Sequence, residues 1–182
     1  TCALPISPYG GKLVNLVVEG QEREELLARA AQLPSIKISM RALCDLELLA
    51  TGGFSPLDTF MGKADYERVL REMRLADGTL WPLPITLTVD PKELPTVGED
   101  LVLRNANNDV IAVLTLDEVY HWDAEKEAAL AYGSTDSKHP MVSEMTRWER
   151  VCISGPLKVL NLPKYHDFVE LRQIGRASCR ER

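Results

Sequence analysis

The sequence predicts an α+β fold. Three observations carry this. Apolar residues recur at helical spacing in several separate stretches. Between and after them lie runs of strand length, rich in Val, Ile and Leu. Two of these runs, 101–103 and 110–116, flank Asn105-Ala106-Asn107-Asn108-Asp109. Asn and Asp tolerate left-handed conformations, so the pair reads as a hairpin and suits the wall of a β-barrel.

The elements follow in order. Pro5, Pro8, Gly10 and Gly11 make residues 1–12 an irregular arm, and 12–18 suits a buried strand. Residues 21–33 predict a helix with Leu26, Leu27, Ala30 and Leu33 as its apolar stripe. Glu22, Glu24 and Glu25 in its first turns and Arg29 near its end complement the helix dipole, so these glutamates read as a solvated face. Pro34 ends it, and Ile36 and Ile38 mark a short strand. Ser39 is a candidate N-cap for a helix whose inner face is Leu43, Leu46, Leu49 and Ala50. Cys44 reads as core by position. Gly52 is placed to end this helix in a left-handed conformation.

Phe54, Ser55 and Pro56 then form a turn, and Leu57, Phe60 and Met61 return to a core. Residues 63–74 predict a helix on Tyr66, Val69, Leu70 and Met73. Asp77-Gly78 signals a turn. Residues 80–89 read as a strand whose start lies at an edge, because Pro82 and Pro84 cannot donate ladder bonds. A short helix spans 123–132, Gly133 ends it, and 133–150 is polar and irregular. Residues 151–160 read as a last strand interrupted by Gly155-Pro156. The tail 174–182, IGRASCRER, has no period and three arginines, and is expected to be non-native or disordered and dispensable.

At 182 residues the chain fits one domain with a substantial core. Its 45% apolar and 26% charged residues suit a soluble globular protein. A formal charge of −6 argues against a nucleic-acid surface, which needs clustered Lys and Arg. Cys2, Cys44, Cys152 and Cys179 form no CxxC pair, which disfavours a zinc site or a disulfide framework. No stretch reaches the apolar length of a membrane span and no signal-peptide pattern is visible, so a reducing cytoplasm is the expected compartment.

The segment RALCDLELLATGGFSPLDTFMGKADYERVL at 41–70 resembles the N-terminal domain of ATP sulfurylase (sulfate adenylyltransferase). So do YGGKLVNLVV at 9–18, DGTLWPLPITLTVD at 77–90, NNDVIAVLTLDEVYHWD at 107–123, YGSTDSKHP at 132–140 and SGPLKVLNLP at 154–163. The blocks stand in the family's order, and the resemblance is tightest to bacterial enzymes, including forms with a second, adenylylsulfate kinase domain. Tyr9 stands where the family has a histidine.

The resemblance implies a PUA-like, mostly β, barrel-type domain over 1–173 with several short flanking helices. It also implies an active site mainly in a catalytic domain that follows and is absent here. The whole enzyme would join ATP and sulfate, with magnesium, to give adenosine 5′-phosphosulfate and pyrophosphate. It would be a homo-oligomer. Two other readings stand beside this one: a PUA-like module that binds RNA or protein, and a free-standing regulatory domain without catalysis.

The residues themselves carry little chemistry. Charge builds on phosphate oxygens in AMP transfer, so positive groups must surround the triphosphate. The family's Gln-x-Arg-Asn-Pro motif and its two histidines are missing, since Gln21, Gln32 and Gln173 start no such motif. Gly10-Gly11-Lys12 and Gly52-Gly53 lack Walker spacing. His121, His139 and His166 lie far apart, and Asp45 and Glu47 point to different sides of a helix. No catalytic residue, metal ligand or cofactor site is therefore expected in this chain. The expected functional surface is a domain interface at Phe54, Ser55 and Pro56, because two glycines free the backbone before Phe54 and Pro56 stiffens the exit. The backbone can present Phe54 outward as easily as inward, and an aromatic in such a segment slightly favours an ordinary core position.

Overall fold

The computed structural model describes residues 7–163, so the tail at 174–182 and His166 lie outside the described residues. The elements are α1 (Gly20–Ala30), β1 (Ser35–Lys37), α2 (Met40–Thr51), α3 (Lys63–Glu72), β2 (Leu87–Val89), β3 (Asp100–Arg104), β4 (Val110–Thr115), β5 (Glu118–His121), α4 (Ala124–Ala131), α5 (Pro140–Met145), β6 (Val151–Ser154) and β7 (Leu157–Val159). The strands form two sheets, β1-β3-β4-β7 and β2-β6-β5. β1 runs parallel to β3, and all other pairs are antiparallel.

The expected hairpin is β3–β4. Asn108 adopts φ 70°, Asn105 Oδ1 accepts from Asp109 N at 2.8 Å, and a register shift lies at Leu103/Arg104. Alternate residues of this hairpin serve two different cores. Leu101, Leu103, Ala112 and Leu114 face the main core with α2 and α3, while Val102 and Val113 face Leu26 and Ala30 of α1. A strand covered on both faces has no polar positions, which is why 101–103 and 110–114 read as unbroken apolar runs.

The two sheets are one bent ribbon. β4 pairs with β7, and β5 pairs with β6, so 110–121 and 151–159 travel together and change sheets at the same level. On one side the crossing is Leu116, and on the other it is Gly155-Pro156. Thr115 N donates to Pro156 O at 3.0 Å, and Asp117 N to Ser154 O at 3.0 Å, so the ladder continues through the bend. The last strand read at 151–160 is therefore two strands in different sheets. The expected α+β class with several short flanking helices holds; among the described residues its strands lie in two sheets that meet at this corner, with no closed barrel.

α2 has the predicted ends. Ser39 Oγ accepts from Ala42 N at 3.2 Å, and Gly52 takes φ 88°. Leu43, Leu46, Leu49 and Ala50 are buried as expected. Cys44 is exposed, because it lies on the opposite side of the helix from that face. α3 ends at Glu72, and Met73 turns left-handed (φ 52°), which puts its side chain outside instead of on the stripe. Residues 12–18 make only an isolated bridge, Val17 with Val159. Of 80–89 only Leu87–Val89 is strand, since prolines deny the ladder its donors over 82–84. Pro140–Met145 is helical where an irregular stretch was expected; Pro140 at its first turn supplies the preset φ.

Candidate functional site

The turn after α2 is built from the inside. Gly52 N-terminal to it cannot carry a side chain, because a Cβ there would lie 2.7 Å from Val14 O. Ser55 is 8% exposed, and its hydroxyl accepts from Val14 N (3.0 Å) and donates to Gly52 O (2.8 Å). Ser55 thus ties the N-terminal arm to the helix end. The Ser55–Pro56 peptide is cis, and the Pro56 ring lies 2.6 Å from where a Cβ on Gly10 would sit. Phe54 is half-buried and meets Trp81 edge to face, ring centroids 5.8 Å apart.

Phe54 and Trp81 form one wall of an apolar groove of about 580 Å³ whose other walls are Tyr9, Leu80, Leu83 and Ile85. Tyr9 Oη donates to Leu80 O at 2.6 Å and fixes the arm across one end. Tyr9, Leu80 and Leu83 are exposed although apolar. The structure thus brings Phe54 into the groove wall, sets Pro56 against Gly10 of the arm and uses Ser55 to hold the turn. Sequence reasoning missed Tyr9, Leu80, Trp81 and Leu83. The available signal was the pair of prolines at 82 and 84, which leaves the flanking apolar residues without a strand to belong to.

Two other clefts are polar. One of about 560 Å³ is lined by Asp58, Asp65, Asp117 and Glu118, and Glu118 accepts from Lys63 N at 2.9 Å to cap α3. Its charge has the wrong sign for a triphosphate. The other, about 640 Å³, contains His121, Asp123 and Arg150. Among the described residues no group of three or more His, Cys, Asp or Glu is placed to hold a metal ion. Lys12, next to Gly10-Gly11, pairs with Asp58 at 3.0 Å.

A buried polar network supports the back of the domain. The Arg41 guanidinium lies 4.1 Å over the Trp148 ring, Trp148 stacks on Trp122 at 5.5 Å, and Trp122 Nε1 donates to Glu127. Arg41 also pairs with Asp45 (2.8 Å) and donates to Thr86 O (3.0 Å). Glu127 is 3% exposed, and burial pushes its carboxyl up against the opposing pull of Trp122, Tyr66 and Arg41. Burial likewise pushes the Asp45 carboxyl up and the Cys152 thiol up to about 12.

A group whose folded pKa is raised favours the fold fully below its unfolded value and ceases to do so as pH rises through the folded value. Glu127 should therefore weaken the fold as pH rises above about 4.5. Glu127→Gln keeps an acceptor for Trp122 and removes the charge. Its stability relative to the parent chain should rise from pH 4 to pH 8 in parallel urea titrations. A constant difference between the two proteins across that range would refute this.

The comparisons with known proteins match this geometry. Residues 6–162 match the PUA-like domain family. The chain belongs to that family. It is 41% identical over 180 residues to the sulfate adenylyltransferase of Halothermothrix orenii, covering 97% of this chain and 47% of that enzyme. It is 41% identical over 163 residues to that of Symbiobacterium thermophilum, covering 88% of this chain and 42% of that enzyme. Among solved structures, a hexameric APS kinase from Thiobacillus denitrificans superposes with a TM-score of 0.69 at 36% identity, covering 92% of this chain and 29% of that one. The chain spans less than half the length of the curated relatives it matches.

Proposed function

We propose that this PUA-like domain is the N-terminal, non-catalytic part of a sulfate adenylyltransferase. The supporting observation is the 41% identity to such an enzyme across nearly the whole of this chain but under half of that enzyme. In the full reaction a sulfate oxygen attacks the α-phosphorus of ATP. An S–O–P bond forms, the α–β phosphoanhydride breaks, and pyrophosphate leaves. The positive groups and the magnesium site for that step belong to the remaining polypeptide, since the family's triphosphate motif is missing here and, of the three clefts, one is acidic, one is apolar and one sets His121 and Arg150 beside Asp123 and Glu125. The domain's task is to pack against that catalytic part, to shape its cleft and to support a homo-oligomer, with Phe54 and Pro56 at the contact and buried Ser55 holding the turn beneath them. The setting is cytoplasmic. An RNA-binding or free-standing regulatory role is less well supported, because the relatives are transferases and the chain is acidic.

This chain alone is expected to release no pyrophosphate from ATP, sulfate and magnesium, while the longer polypeptide that contains it turns over. Turnover by the 182-residue chain above background would overturn the division of labour.

A further inference from the structure

α2 is apolar on two sides, and the domain buries only one. Met40, Cys44 and Leu48 recur at i, i+4 and i+8 on the outer side. All three are exposed, Met40 at 62% and Leu48 at 41%. The stripe runs about 12 Å along the helix.

The stripe is continuous with the groove. The Leu48 side chain is the nearest group to Gly53, and Leu13, also exposed, is beside Gly52. Phe54 N donates to Leu48 O at 3.2 Å, so the far end of the stripe meets the groove wall. Stripe and groove together hold five of the ten exposed large hydrophobics among the described residues, and Leu13 between them is a sixth. The charges within the stripe are matched locally, since Arg41 and Asp45 pair with each other. The band therefore offers apolar area and shape, without a charge pattern to recruit an ionic partner.

We propose that this whole band, from Met40 through the turn to Leu83, is covered by the catalytic part of the longer polypeptide to which this domain belongs. The inference rests on the sulfate adenylyltransferase reading and extends the contact from the turn to the outer face of α2. More than half the length of the matched relatives lies outside this domain. A body tethered to the same chain is present at an effective concentration in the millimolar range, which a free second copy reaches only at high protein concentration.

Cys44, at the middle of the stripe, reports on the cover. Alkylation by N-ethylmaleimide, read peptide by peptide by mass spectrometry, is compared in the 182-residue chain and in the longer polypeptide. Buried Cys152 is the control in both. Cys44 should react readily in the short chain and about tenfold or more slowly in the longer one, independent of dilution. Leu48→Asp should restore its reactivity in the longer polypeptide while leaving the circular dichroism of the short chain unchanged.

Equal reactivity in both proteins overturns the proposal. Protection that fades on dilution as a multimer dissociates also overturns it, and assigns the band to a second copy. Pyrophosphate release by the longer polypeptide, measured in parallel, separates the two readings. Turnover with an open Cys44 sinks only the docking face. A protected Cys44 without turnover sinks only the functional assignment.

Discussion

Gly155→Ala is expected to destabilise the domain by about 3 kcal/mol or more, from the backbone strain and the forced displacement together. Gly155 has φ 154°, a conformation that residues with a Cβ rarely adopt. A Cβ there would stand 1.9 Å from Thr115 O, a backbone atom of a residue paired with Asp100 in the β3–β4 ladder and bonded through its N–H to Pro156 O. The methyl group cannot be accommodated by a rotamer change. It must push the two legs of the ribbon apart at the point where both change sheets. The displacement reaches further, because Thr59 Oγ1 donates to Gly155 O and Ser154 Oγ donates to Phe60 O at 2.6 Å, docking the turn after α2 onto the same corner.

Gly78→Ala is the control. Gly78 also has positive φ (92°) but has open space where the Cβ would be, so its cost should stay near the 1–2 kcal/mol of a left-handed alanine. Urea unfolding of both variants measures the difference. Equal losses would mean that the corner yields, and that the two sheets are not locked together there.

The same corner shows where the sequence could be read and where it could not. α2 was legible because its signals are local: a serine cap, an apolar face at helical spacing and a glycine able to turn left-handed. The split of 151–160 between two sheets was not, since Val151–Ser154 and Leu157–Val159 are both buried in cores and hydropathy does not change across Gly155-Pro156. Closure into a barrel depends on which strand edges meet, a non-local property that periodicity does not encode.

Cys44 departs from its expected position, and Glu127 has a burial that no local signal announces. A small apolar residue next to a core helix face looked buried and is exposed. A glutamate in a helix with an acidic start is buried, because Trp122 Nε1 waits for it five residues earlier in the chain. The turn at Phe54 was recognisable as a candidate contact, but the groove that makes it one required Tyr9 and Leu80–Leu83 to arrive from other parts of the chain.

Phe60→Ala and Phe54→Ala should separate core from contact within a single turn of chain. Phe60 is fully buried in the main cluster with Leu46, Leu49 and Met61, so its removal opens a cavity and should cost about 3–5 kcal/mol in this chain. Phe54 is half-buried and keeps one edge-to-face contact with Trp81 at the groove rim. Its loss should cost roughly 1–2 kcal/mol here, a fraction of the full cavity term plus the aromatic pair. In the longer polypeptide the relation should shift. Phe60→Ala should cost what it costs in the short chain, because its surroundings are the same. Phe54→Ala should cost more than in the short chain, because the groove would then be covered and the ring would fill a closed contact. Denaturant unfolding of the four proteins decides this. A Phe54 loss as large as that of Phe60 in the short chain would make Phe54 ordinary core and remove it from the contact, whereas an unchanged Phe54 loss in the longer polypeptide would leave the groove open to solvent.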